Sequence, residues 1–170
     1  MFLIGCYTAL RFSDFTQIKD ENIIDNGTKI RIKTQKTGEI VIIPLHFRVK
    51  EIIKKYNGHT PPTISNQKLN KYIKEVGELA KIDTPIVKEK KDGKLIFNHT
   101  YKKYELISSH TARRTAITNM VKAKIPTYKI MLISGHKTEQ AFRKYIKLTK
   151  DENATDLASH DYFKPQQKTS

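Results

Sequence analysis

A single cysteine, Cys6, occurs in the 170 residues, and no run of the chain approaches the roughly 20 apolar residues that a bilayer-spanning helix needs. One cysteine excludes an intrachain disulfide and any cysteine-built metal site, and it favours a reducing compartment, the cytoplasm. Acidic residues are also scarce: 17 Asp and Glu face 32 Lys and Arg, a net charge of +15, with a pI near 9.8. A field of that sign concentrates phosphate-bearing partners and rejects acidic ones, which points toward nucleic acid. Hydrophobic residues are thin at 38%, below a globular average of about 45–50%. They still suffice for one domain with a core. Met1–Leu10 is apolar but lacks a basic leader and a small-residue cleavage site, so it does not read as a signal peptide. It reads as the end of a buried helix that starts abruptly, and a further segment is expected upstream in a longer parent protein.

What is present divides by period. Residues 1–17 pattern as helix with a break near Thr8–Arg11, and Ser13 is a candidate N-cap for the short turn that follows. Lys29–Lys33 then alternates polar and apolar, and Glu39–Ile43 is β-branched. With Gln35-Lys36-Thr37-Gly38 between them, these predict a β-hairpin, with Glu21–Ile24 as a candidate third strand. Helices are expected over His46–Tyr56 and Ser65–Ala80, the second with Leu69, Tyr72, Ile73, Val76 and Leu79 on one face. The Lys-rich stretch 83–107, centred on Asp92-Gly93, reads as an exposed hairpin. Further helices are expected at about 110–124, 126–134 and 138–149, with Pro126 at a first helical position, Gly135 as a stop and Thr138 as a cap. A short helix near 152–163 precedes a polar tail, 164–170, expected to be disordered. The fold class is therefore mainly α (α+β), with one small antiparallel sheet and no internal repeat.

Three local patterns could carry chemistry. Arg11 sits in a sharp helix junction with Asp14 three residues on. His110 and Arg113 form a His-x-x-Arg on one helical face. Gly135-His136 is followed nine residues later by Tyr145. Each alone has an ordinary explanation: a surface ion pair, a capping histidine beside a solvated arginine, a packed tyrosine. Their joint order is far more specific.

Arg11, Lys36 in a hairpin turn, His110-Thr-Ala-Arg113, Gly135-His136 and Tyr145 together resemble the tyrosine recombinase, or phage integrase, family over Thr8 to Tyr145. The Gln-Lys-Thr-Gly turn running into Ile-Pro-Leu and the Ser-Ser-His-Thr-Ala-Arg-Arg helix start look most like integrases of Bacteroidetes-type mobile elements. The resemblance implies a helical catalytic domain spanning residues 1–163, with the family's N-terminal core-binding domain absent. It implies that Tyr145 is the nucleophile, that Arg11 and Arg113 clamp the scissile phosphate, and that Lys36 protonates the leaving oxygen. His110 is then a general base or phosphate contact, His136 a further phosphate ligand, and Asp14 the acid that steadies Arg11. The implied partner is double-stranded DNA, with a homotetramer on DNA in the full-length protein and a monomeric fragment alone. The C-terminal segment either packs on its own core or docks on a neighbouring protomer. Two departures stand out: Ala9 where glycine is frequent, which leaves less room at that turn, and Ser134 where leucine usually precedes Gly-His. Arg114 beside Arg113 leaves a register ambiguity that the His-x-x-Arg spacing resolves for Arg113.

The chemistry suits these residue types. A phosphodiester attacked in line gathers charge on its non-bridging oxygens, and two guanidinium forks match that geometry. No cofactor or metal is called for, since cationic side chains supply the charge. A phenol with an ordinary pKa near 10 needs a base close by. A type IB topoisomerase shares this chemistry, but the chain is short for one, and the nine-residue step to Tyr145 favours a recombinase. A non-catalytic regulator derived from an integrase predicts a lost catalytic residue, and none is lost. A metal site on His110 and His136 is opposed by Arg113 and Arg114.

Overall fold

The computed structural model describes residues 1–93 and 95–164, with residues 91, 92 and 95 described by their backbone alone. The tail expected to be disordered lies, beyond Lys164, outside the described residues.

The chain opens with helix α1 (Phe2–Thr8), which Ala9 ends in the left-handed region at φ 57° and ψ 14°. A short helix α2 (Phe12–Phe15) follows, with Arg11 at its N-cap. Ser13 therefore lies inside that turn and does not cap it. The predicted hairpin is β2 (Lys29–Lys33) against β3 (Ile40–Pro44), and β1 (Ile23–Ile24) adds the third strand. Its register sets Ile30 opposite Ile43 and Ile32 opposite Val41. These four side chains are buried while their neighbours face water, as period-2 alternation requires. They form one core with Ile4, Leu10, Phe15 and Val49, the last from α3 (Phe47–Lys55).

Helix α4 (Asn66–Leu79) starts at Ser65, whose side chain accepts from the Lys68 amide. Its packed face differs from the expected one. Leu69 and Gly77 are buried, whereas Tyr72, Val76 and Leu79 are exposed. At Gly77 a Cβ would come within 2.8 Å of Ile107 and 2.9 Å of Tyr104, so the chain after the second hairpin lies directly against this glycine. That hairpin, β4 (Pro85–Asp92) with β5 (Leu95–Lys102), is a separate two-stranded sheet at the expected place.

Helix α5 (Ser109–Lys122) packs on α1. Gly5 allows the approach, because a Cβ there would sit 3.0 Å from that of Ala112. Helix α6 (Thr127–Ser134) follows, with Pro126 at the N-cap rather than the first helical position, and Gly135 (φ 65°) ends it as expected. Ala116, Ile117, Ile130 and Phe142 make a second, smaller cluster with Ala9.

Helix α7 (Glu139–Arg143) is capped by Thr138, as expected, but stops six residues short of 149. The reason is Thr118 on α5. Its hydroxyl donates to the Tyr145 carbonyl (3.3 Å) and accepts from the Lys147 amide (3.1 Å), taking groups that a longer helix would use internally. Helix α8 (Lys150–Ala158) then lies across the end of α5, held by Lys122–Glu152 (2.6 Å) and Lys124–Asp156 (3.2 Å). The apolar residues on and just after it do not enter either core: Leu157, Tyr162 and Phe163 are all exposed. Among the described residues no helix is long and apolar enough to cross a membrane.

Candidate active site

The left-handed turn at Ala9 and the break before α2 carry Arg11 into an open cleft of about 520 Å³. Arg11, Lys36, His110, His136 and Tyr145 all line it, brought from five separate stretches of the chain. Arg113 does not line it. This arginine is 1% exposed and forms the floor behind Tyr145.

On the N-terminal wall, Asp14 joins two parts of the site. Its Oδ1 accepts from the Gln35 amide at 2.9 Å, fixing the start of the turn that holds Lys36. Its Oδ2 lies 4.0 Å from Arg11 Nη1, too far for a hydrogen bond, and both of these atoms are buried without a partner. The carboxylate thus steadies Arg11 by charge rather than by a bond. The turn itself closes through Thr34, whose hydroxyl lies 2.7 Å from that of Thr37, and through Gly38 at φ 68°. Lys36 stands exposed at its tip.

On the opposite wall, the Arg113 guanidinium donates to the carbonyls of Ala9 (2.6 Å) and Ser134 (2.8 Å) and to His136 Nε2 (3.0 Å). Its Nε is buried without a partner. Burial and then the charge of Arg11 lower its pKa to about 10, which leaves it charged at neutral pH. The Tyr145 ring covers it, with the guanidinium carbon 5.1 Å from the ring centroid.

An arginine can only donate, and its Nη2 lies nearer His136 Nε2 (3.0 Å) than Nδ1 (3.3 Å), so Nε2 is the acceptor. The proton then sits on Nδ1, which lies 2.8 Å from Ser134 Oγ, and the Ser134 hydroxyl passes on to the Ile130 carbonyl at 2.7 Å. Burial, followed by Arg113 and Arg11, pushes His136 down to about 4, so this neutral form prevails at pH 7. Ser134, noticed in the sequence only as a departure, is thus the partner that orients His136. Ala9, the other departure, is where the Arg113 guanidinium docks. His110, near the N-terminus of α5, is shifted down by desolvation, then by Arg114, Arg113, Arg11 and Lys36.

The cleft also contains residues that the sequence did not single out as functional: Asn66, Ser109 and Lys144. Each adjoins a recognised signal, namely the α4 cap Ser65, His110 and Tyr145, and adjacency was the one available clue. Among the described residues no three His, Cys, Asp or Glu side chains gather as a metal-binding set.

Solved structures share this fold, two recombinases and a transposon integrase among them. The chain superposes on XerA recombinase with a TM-score of 0.67 at 14% identity, covering 93% of this chain and 56% of that one. XerH site-specific recombinase, bound to palindromic difH substrate in a post-cleavage complex, gives 0.65 at 15% identity over 93% and 44%. The Tn1549 transposon integrase, in complex with circular intermediate DNA, gives 0.51 at 15% identity over 92% and 55%. The chain thus spans about half the length of the structures it matches. No curated protein sequence matches it. A family model decides the relationship that such low identities leave open: it matches residues 1–152, and the chain belongs to the phage integrase family.

Proposed function

We propose that this chain is the catalytic domain of a tyrosine site-specific recombinase, which cuts and rejoins double-stranded DNA through a covalent 3′-phosphotyrosyl intermediate. The observation that carries the reading is spatial. Residues 11, 36, 110, 136 and 145 converge on one cleft, with Arg113 as its floor. The XerH and Tn1549 structures are complexes with DNA, which supports a DNA substrate here.

In this reading the Tyr145 phenol attacks the scissile phosphorus, and His110 takes its proton. Arg11, which lines the cleft, meets one non-bridging oxygen. Arg113 becomes available to another when the tyrosine ring swings off it toward the phosphorus. His136, held by Ser134, is the further phosphate contact. Lys36 protonates the departing 5′ oxygen from its turn. The new phosphotyrosyl ester keeps the energy of the broken phosphodiester, so the 5′ hydroxyl of another strand can reverse the step without ATP. Assembly as a tetramer on two duplexes would suit the exposed apolar set on and after α8, docked on a neighbouring protomer. Integration and excision of a mobile element is the role we infer.

A nicked suicide duplex tests this directly. Wild type should form a covalent adduct, in EDTA as well as in Mg²⁺, and Tyr145→Phe should form none while binding DNA within a few-fold of wild type. An adduct that persists in the variant, or maps to Tyr162, would remove the assignment.

A further inference from the structure

Arg114 immediately follows Arg113, yet the cleft does not use it. It lines instead a smaller groove of about 220 Å³ on the adjoining strip of α5. The other walls are Thr111, Thr115, Thr118, Asn119 and, from the segment after Tyr145, Lys147. None of these residues lines the catalytic cleft.

The lining is chemically one-sided: two cations, three hydroxyls and an amide, with no carboxylate. Arg114 donates one hydrogen bond, from Nη2 to Thr111 Oγ1 at 3.0 Å. Among the described residues neither Arg114 nor Lys147 has a carboxylate within 4.0 Å. The hollow between α5 and α8 is the opposite case. It gathers Asp151, Glu152 and Asp156, and the cation that lines it, Lys122, is already paired with Glu152.

We propose that this groove seats a phosphodiester group of the DNA backbone, one beside the scissile phosphate, and so sets the register of the strand on Tyr145. The proposal rests on the recombinase reading. A guanidinium fork and an ammonium converging without counter-charge suit a phosphate, and the hydroxyls of Thr111 and Thr115 suit its remaining oxygens, the Thr118 proton being given to the Tyr145 carbonyl. DNA is favoured over an acidic peptide by position. The groove is separated from the cleft by the 145–147 segment, and Thr118, which lines the groove, holds that segment at the Tyr145 carbonyl and the Lys147 amide. The cleft and the groove adjoin, with His110 lining one and Thr111 the other, so a phosphate next to the scissile one is the ligand within the groove's reach. Contacts of this kind fix orientation rather than read sequence.

The test is methylphosphonate scanning of the nicked duplex with the full chain and its Arg114→Ala and Lys147→Ala variants. Arg114→Ala should bind roughly ten-fold more weakly, as expected for losing one charged hydrogen-bonding group. Its slope of log affinity against log salt should fall by about 0.9. Neutralising one phosphate next to the cleavage point should weaken wild type by a similar factor and weaken Arg114→Ala no further. Lys147→Ala, an exposed change, should give the same pattern at smaller size and carries the test if Arg114→Ala melts early. Wild-type affinity and slope in both variants, or a phosphonate effect undiminished in both, would overturn the groove. Adduct formation by wild type in the same samples reports separately on the recombinase reading.

Discussion

The two walls of the cleft are built on opposite principles. The N-terminal wall rests on a large apolar core of Ile30, Ile32, Val41, Ile43, Leu10 and Phe15, and the proposed catalytic residues Arg11 and Lys36 hang from its edge. The C-terminal wall has a smaller core, and its working residues are structural members: Arg113 ties Ala9 to Ser134, and His136 closes the network. In the first wall, apolar burial holds the backbone and the cations face the cleft. In the second, the cation itself substitutes for apolar packing. Stability and catalysis should therefore separate cleanly on one side and remain entangled on the other.

Comparing Arg113→Ala with Arg11→Ala tests that contrast most severely. Truncating Arg113 strands the carbonyls of Ala9 and Ser134, at a cost of about 3 kcal/mol. That should lower the melting temperature by roughly 6–12 °C and abolish cleavage as well. Arg11→Ala should lose cleavage by about 100- to 1,000-fold while melting close to wild type. Equal losses of melting temperature in the two variants would break the comparison. Next in size is Lys36→Ala, expected to slow cleavage by roughly 100- to 10,000-fold. A substrate with a 5′-bridging sulfur, which leaves without a proton, should rescue it and should not rescue Arg113→Ala. Rescue of both or of neither would remove Lys36 from the role of acid.

The polar network of the second wall also predicts a pH dependence. His136 titrates near 4 in the folded chain, below the ordinary value of 6.5, so protons bind the unfolded chain more readily. Stability is fully present above about pH 6.5 and declines as pH falls toward 4. Melting measured from pH 7 to 4.5 should show that decline, and His136→Asn should reduce its slope. Part of the slope should remain, because the His110 pKa is lowered too. Ser134→Ala should cost about 1 kcal/mol and slow cleavage through a misoriented imidazole, with Ser134→Thr recovering part of the rate. The smallest effect is expected from deleting residues 152–170. The described residues of that segment, 152–164, add nothing to either core, so the domain should stay folded by circular dichroism.

Much of this arrangement was legible in the chain. The turn at Ala9, the β2–β3 hairpin around Lys36 and the α5 placement of His110 and Arg113 all follow from local period and punctuation. Where the reading failed, the cause was tertiary. The stripe of Tyr72, Val76 and Leu79 has the right spacing for a core, but the chain packs on Gly77 because only a glycine allows Tyr104 and Ile107 so close. The early end of α7 depends on Thr118, 27 residues away from Tyr145, which no local window contains. The role of Ser134 was hidden for a similar reason, since only the folded loop brings its hydroxyl to His136.

Because α7 ends at Arg143, Tyr145 sits on a tether rather than on a rigid rod. Between Arg143 and Lys150 the backbone is anchored to α5 by a single hydroxyl through two hydrogen bonds. At roughly 1 kcal/mol each, such an anchor gives way about once in 30 molecules at any moment, with no helix needing to unwind. In the proposed mechanism the nucleophile could therefore change its address cheaply, while the arginines and histidines assigned to the phosphate stay where the fold has put them. Thr118→Val, which removes the anchor and keeps the volume, should loosen the tether without disturbing the walls, and faster proteolytic nicking between 144 and 149 would register it.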